Sequence, residues 1–227
     1  MSDDKKYILN LGAGQVDYSR YDDAWLAVHV DAFFDPNGLA INKGEVERIY
    51  DQSVKVNKQP NSIQMRDVID FPAQVLCKSD VFDFVEGFPF KFNHIYAERI
   101  FEHMEYVGGE IGRLLEGINR ASFPDATLEI VVPNAILLSE MIIDYEKNAS
   151  DDTIVRQINS KLLINTECVN CKADSHASIW TPRLAKEYIE SEGTWIITSM
   201  EPEVEFAGRD IYMKIICKKQ TLKHKGK

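Results

Sequence analysis

The sequence predicts an α/β protein whose doubly wound, mostly parallel sheet of seven strands ends in an antiparallel hairpin. Three observations carry this. Short apolar runs stop at glycine, acid or proline, as buried parallel strands do; segments with apolar residues at intervals of three and four lie between some of them; and the last two runs have no helix between them. A chain of 227 residues suffices for one α/β core, so a single domain over 1–227 is expected, with insertions around 35–73 and 134–180.

In order, the first strand is YILNL, residues 7–11, ending at a glycine turn. The second, Trp25 to Val30, ends in Asp31; the third, Gln74 to Lys78, stops at Ser79-Asp80; the fourth, Phe92 to Ala97, precedes Glu98; the fifth, Leu128 to Val132, stops at Pro133-Asn134. Ile100, Phe101, Met104, Val107, Ile111, Leu114, Leu115 and Ile118 predict an amphipathic helix over Ile100 to Asn119, interrupted near Gly108-Gly109. Further helices fit Ala135 to Lys147, Ser150 to Leu163 and Pro182 to Ser191. The last has Thr181 as N-cap, proline at its first position and Gly193 beyond its end. Thr194 to Met200 and Asp210 to Cys217 form the closing hairpin.

Composition narrows the function classes. With 44% hydrophobic and 27% charged residues the chain is globular rather than disordered or fibrous. No apolar run reaches the roughly 18 residues that span a bilayer, and MSDDKK lacks an apolar signal core, so a cytoplasmic protein without membrane contact is expected. Cys77, Cys168, Cys171 and Cys217 do not make a secreted disulfide framework, and reduced thiols are expected. A formal charge of −10 disfavours a broad nucleic-acid surface, although the tail KKQTLKHKGK, with five lysines and no acid, keeps a local phosphate contact open beside its reading as a frayed terminus.

Ligands of open parallel sheets bind beyond the carboxyl ends of the strands. Gly12 and Gly14 flank Ala13 there, where absent side chains let a ligand approach the backbone. Asp31 ends the second strand 17 positions after Gly14, where a carboxylate accepts from both ribose hydroxyls; a capping or turn role is its plain alternative. A dinucleotide fingerprint needs a third small residue, and Asp17 occupies that position, an acid ill-suited to a pyrophosphate. A ligand with ribose but no phosphate fits better, and S-adenosylmethionine is such a ligand.

At this point the residues resemble a family. YILNLGAGQ looks like motif I of class I S-adenosylmethionine-dependent methyltransferases, and VHVDAFF like their second strand with its ribose-binding acid. NHIYAERIFEHM is similar to the fourth strand and following turn of the type-11 group, LEIVVPN to its fifth strand, and HASIWTPRLAKEYIESEGTW to the segment leading into the terminal hairpin. The resemblance runs in order over about residues 7 to 218 and implies a Rossmann-like fold. It also implies that Gly12 and Gly14 line S-adenosylmethionine, that Asp31 holds the ribose hydroxyls, that Asp80 with Val81 borders the adenine, and that Glu98 sits near the methionine part. Asp83 competes with Asp80 for its role. Arg99 stands where a small or polar residue is frequent, and Ala13 where cysteine is common.

Methyl transfer depends on positioning, and a base is needed only where the acceptor arrives protonated. His103 is the candidate base, with capping or packing as its alternative; His94, inside the fourth strand, reads as structural. Tyr18, Tyr21 and Tyr96 either wall an acceptor pocket or pack in the core. Cys168-Val-Asn-Cys171 with His176, and Asp174 or Cys77 as a fourth, has zinc spacing, but without a second CxxC a metal is not expected. The expectation is therefore a methyltransferase with a small molecule favoured as acceptor, the alternative being a non-catalytic cofactor-binding or assembly protein on the same fold. An NAD or nucleotide-sugar enzyme is disfavoured by Asp17. No Asn-Pro-Pro-Tyr-like motif follows the fourth strand, which continues Ala97-Glu98-Arg99-Ile100.

Overall fold

The computed structural model describes residues 5–13, 21, 23–31, 73–77, 79–87, 91–148, 177–191, 193–203 and 212–220. The elements run β1 (Tyr7–Leu11), β2 (Leu26–Val30), β3 (Ala73–Cys77), α1 (Val81–Gly87), β4 (Phe92–Glu98), a 3₁₀ turn (Phe101–His103), α2 (Glu110–Arg120), β5 (Ser122–Pro133), α3 (Ala135–Asn148), α4 (Pro182–Glu190), β6 (Trp195–Glu203) and β7 (Tyr212–Lys219). Gly14, Asp17, Tyr18, most of the 35–73 insertion, the Ser150 to Leu163 helix and the Cys168, Cys171, Asp174 and His176 group lie outside the described residues.

The strands form one sheet in the order β3-β2-β1-β4-β5-β7-β6. The first five are parallel, β7 runs antiparallel to β5, and β6 antiparallel to β7. Strand order reverses between β1 and β4, the switch point where chain directions diverge.

Every residue of β1 and β2 is buried, so both faces of these strands are covered. On one face Leu9, Leu11, Val28, Val30, Ile95, Leu128 and Ile130 meet Phe84 and Val85 of α1, Leu114, Leu115 and Ile118 of α2, and Ile189 of α4 in the larger core. Each such side chain contributes about 1.5–3 kcal/mol by leaving water. Helices α1 and α2 approach so closely that a Cβ added at Gly117 would overlap Val85. The other face carries Ile8 and Ala27, packed by Tyr21, Ala24 and Tyr96.

Helix α4 starts as its sequence dictates: the Thr181 hydroxyl accepts from the Leu184 amide at 3.2 Å, Pro182 needs no donor, and Gly193 turns the chain at φ +67°. Three expectations change. The helix expected from Ile100 begins only at Glu110. Ile100 and Phe101 are buried in a 3₁₀ turn, Val107 is 97% exposed on a loop, and Gly109, at φ +76°, breaks the backbone before the helix. Strand β5 begins at Ser122 rather than Leu128, because Ser122 pairs with Phe92 ahead of a register irregularity that carries the exposed Pro124 and Asp125 outward. The short helix α1 was not anticipated beyond the turn at Ser79-Asp80.

Candidate cofactor site

Parallel pairing brings the carboxyl ends of β1 to β5 to one edge of the sheet. At the end of β1, Gly12 adopts φ +64°, a left-handed conformation that residues with a Cβ resist. Behind it the Ala13 amide donates to the Val30 carbonyl at 3.1 Å, and Ala13 is buried, so the turn folds down against β2. A Cβ on Gly12 would stand 3.1 Å from Ile100 Cδ1 and 3.3 Å from Ile100 Cβ. The Ile100 side chain therefore takes the space that a Cβ on Gly12 would fill, and the absence of that Cβ lets the two turns close on each other.

Asp31 directly follows β2. Its amide donates to the Cys77 carbonyl at 3.0 Å and its carbonyl accepts from Ser79 at 3.3 Å, so β2 and β3 stay tied beyond their last paired residues. These bonds use only backbone, and the half-buried side chain belongs to the same edge. Asp80 takes a structural role through its side chain. Its Oδ1 accepts from the Phe82 amide at 2.9 Å and the Asp83 amide at 3.4 Å, capping α1, in whose first turn Asp83 lies exposed. Val81 is buried at the start of that helix.

Glu98 ends β4 opposite Val131 of β5 and is half-buried. Arg99 follows at φ +55°, the sole positive φ among the described non-glycine residues, a conformation that costs about 1–2 kcal/mol. Its amide still donates to the Val131 carbonyl at 2.8 Å, so the β4–β5 ladder extends one residue while the chain reverses and drives Ile100 against Gly12. The guanidinium lies 5.0 Å over the ring of Tyr212 on β7.

The candidate base His103 ends the 3₁₀ turn, where its amide donates to the Ile100 carbonyl at 3.1 Å. A strap of later chain fixes this turn. Ala177 and Ser178 donate from their amides to the Glu102 carbonyl at 2.7 and 3.0 Å. The Ser178 hydroxyl donates to the Phe101 carbonyl at 3.0 Å and accepts from Trp180 Nε1 at 2.9 Å. Trp180 is 1% exposed between Phe101 and Tyr188, and its carbonyl accepts from the first amide of α3 at 2.9 Å. The segment Ala177 to Trp180 thus locks the turn after β4 to the start of α3.

The remaining candidates lie deeper. His94 sits four residues before the end of β4, about 13 Å from the edge, stacked on Tyr96 at 4.6 Å between ring centroids. Burial pushes its pKa below the ordinary imidazole value. Tyr21 packs edge-on against His29 at 5.0 Å and Tyr96 at 5.3 Å, which makes it a packing residue. Cys77 and Cys217 are buried, and burial pushes both thiols up to about 12. Among the described residues no group of histidine, cysteine and carboxylate side chains forms a metal site, and no helix is long and apolar enough to cross a membrane.

One buried polar pair had not been singled out: Asn10 Nδ2 and His29 Nδ1 lie 3.2 Å apart across β1 and β2. Its signal was a polar residue at the fourth position of two otherwise apolar runs, YILNL and LAVHV.

No family model matches the chain, and no curated protein matches it in sequence. Solved structures do match in fold. The 1,6-didemethyltoxoflavin-N1-methyltransferase of Burkholderia thailandensis, solved with 1,6-didemethyltoxoflavin and S-adenosylhomocysteine, is similar over 95% of this chain and 72% of its own, at 12% identity and a TM-score of 0.56. An S-adenosylmethionine-dependent methyltransferase of Methanosarcina mazei is similar over 96% and 93%, at 13% identity and a TM-score of 0.54. The N-methyltransferase NodS of Bradyrhizobium japonicum, solved with S-adenosylhomocysteine, is similar over 94% and 78%, at 7% identity and a TM-score of 0.51. The chain has the Rossmann-like fold of these class I methyltransferases: a mixed sheet, mostly parallel, with an antiparallel end.

Proposed function

We propose that the protein is an S-adenosylmethionine-dependent methyltransferase acting on a small molecule. The observation that carries the reading is the left-handed Gly12 at the end of β1, pressed against Ile100, with Asp31 at the end of the neighbouring strand on the same edge. Gly12, Asp31 and Asp80 come after β1, β2 and β3 on one side of the switch point, and Glu98 ends β4 on the other, the four strands being adjacent in the sheet. A ligand lying across the switch point at that edge meets a bare backbone and three carboxylates, which suits ribose hydroxyls, amino groups and a cationic centre. The fold of the solved methyltransferases adds support.

S-adenosylmethionine, when bound, supplies an electrophilic methyl group on a sulfonium. Gly12 and Gly14 line it, Asp31 accepts from the ribose hydroxyls, Val81 and the second oxygen of Asp80 border the adenine, and Glu98 accepts from the methionine amino group. The chain's part in transfer is mainly to orient the acceptor and to exclude water. His103, held on the strapped turn, takes the proton of an acceptor that arrives protonated.

Calorimetric titration tests this directly. S-adenosylmethionine and S-adenosylhomocysteine bind and NAD does not, and Asp31→Ala weakens both sulfur ligands by about tenfold or more, the loss expected of hydrogen bonds to a charged group. Absence of binding by either ligand, or an unchanged affinity in Asp31→Ala, refutes the reading. Binding without methyl transfer to any fraction of a broad metabolite panel favours the non-catalytic alternative.

A further inference from the structure

We infer that Ser178 is a positioning residue for the cofactor turn, acting on Gly12 through Ile100. This rests on the methyltransferase reading and adds to it a coupling between the cofactor and the strap Ala177 to Trp180. Glycine is the residue least able to hold its own backbone, so the left-handed turn at Gly12, φ +64°, needs neighbours to keep it in one conformation before a ligand arrives. Ile100 is such a neighbour: it is buried, and its side chain occupies the space that a Cβ on Gly12 would take.

Ile100 is in turn fixed from both sides. Before it, the Arg99 amide donates to the Val131 carbonyl at 2.8 Å and continues the β4–β5 ladder. After it comes the 3₁₀ turn Phe101–His103, closed by the His103 amide on the Ile100 carbonyl at 3.1 Å. A turn this short makes too few bonds of its own to be stable alone. The strap supplies the rest. The amides of Ala177 and Ser178 donate to the Glu102 carbonyl at 2.7 and 3.0 Å, and the Ser178 hydroxyl donates to the Phe101 carbonyl at 3.0 Å. That hydroxyl also accepts from Nε1 of the buried Trp180 at 2.9 Å, so its position is set by the core. The contacts run without a gap from Trp180 through Ser178, the Phe101 carbonyl and Ile100 to Gly12. Linkage is reciprocal: a strap that steadies Gly12 for the cofactor is itself steadied, by the same factor, when the cofactor binds.

Calorimetry and hydrogen exchange on the full chain test this, with S-adenosylhomocysteine as the ligand. Ser178→Ala is expected to weaken the ligand about fivefold or more, and Ser178→Thr, which keeps the hydroxyl, to stay within about twofold of wild type. Ile118→Val, which truncates the core on α2, controls for lost stability and leaves affinity unchanged. Binding should slow exchange at the Ala177 and Ser178 amides about fivefold or more, and leave the Gln220 amide, bonded to the Thr194 carbonyl at the opposite edge, unaffected. Unchanged affinity in Ser178→Ala, no rescue by Ser178→Thr, an equal loss in Ile118→Val, or exchange at the two strap amides that ignores the ligand each overturns the inference. Should wild-type protein fail to bind S-adenosylhomocysteine, the methyltransferase reading falls, and urea denaturation of the ligand-free chain still decides the coupling. The midpoint shifts of Gly12→Ala and Ser178→Ala then fail to add if these contacts connect the two positions, and strict additivity overturns the connection.

Discussion

Gly12 and Ile100 meet across the boundary between β1 and β4: a Cβ placed on the glycine would lie 3.1 Å from Ile100 Cδ1. The contact joins the turn after β1 to the turn after β4, the two strands flanking the switch point. Each turn depends on a left-handed residue, Gly12 at φ +64° and Arg99 at φ +55°.

Substituting Gly12 separates the two demands on it. Gly12→Ala incurs the left-handed penalty of about 1–2 kcal/mol and must also displace Ile100 by a few tenths of an ångström. Urea denaturation is expected to show that loss of stability, and calorimetry a loss of S-adenosylhomocysteine affinity of about tenfold or more. Pairing it with Ile100→Val relieves crowding at Cδ1 but not the backbone strain, so the double variant recovers only part of the stability. Full recovery would show that φ at position 12 is of no consequence.

Asp80 caps α1 and borders the proposed adenine site, and two substitutions distinguish these roles. Asp80→Asn preserves the cap and is expected to leave stability within about 0.5 kcal/mol, whereas Asp80→Ala loses about 1 kcal/mol. Asn at this position still weakens S-adenosylhomocysteine several-fold if the second carboxylate oxygen takes the adenine amino group. Equal affinity in Asp80→Asn and wild type confines Asp80 to capping.

The order of the strands and the residues at their ends were legible because buried parallel strands are apolar throughout and stop at turn residues; Leu11-Gly12, Val30-Asp31 and Glu98 each fall at an observed strand end. Apolar spacing misled at Ile100 to Asn119, since it records burial and not hydrogen-bonding pattern. Ile100 and Phe101 are buried because they turn beneath Gly12 and Trp180, contacts made far apart in sequence. Pro124 obscured the start of β5, as an irregularity tolerates a proline that a regular ladder would not. The left-handed Arg99 carried no local signal at all, because glycine and asparagine are the residues that announce such a turn. For the strap, HASIW pointed to a segment but not to its partner; docking on the Phe101 and Glu102 carbonyls is a tertiary fact.

That strap makes a prediction through Ser178. Its hydroxyl is the acceptor for Trp180 Nε1, so Ser178→Ala leaves an indole N–H without its partner in a closely packed position, at a cost of about 1–2 kcal/mol. Trp180→Phe removes the donor and is itself destabilising through lost packing. A double-mutant cycle is expected to give a coupling of about 0.5–1 kcal/mol between the two positions. Strict additivity would mean that this hydrogen bond does not hold the strap.

His94 predicts the pH dependence of the fold. Burial lowers its pKa, opposed by Glu129 and Asp23 and reinforced by Lys6 and Lys218. The folded chain therefore resists protonation at His94 more than the unfolded chain does. Once the pH drops below the ordinary imidazole value of 6.5, the unfolded state binds more protons and gains at the expense of the folded one. The contribution is fully present above that value and is lost as the pH falls toward the lower folded pKa. Denaturant midpoints measured from about pH 7.5 to about pH 5.5 should decline, and His94→Gln, which cannot titrate, should decline less over the same interval. Parallel declines in the two proteins would show that His94 does not drive this sensitivity and that other titrating groups do.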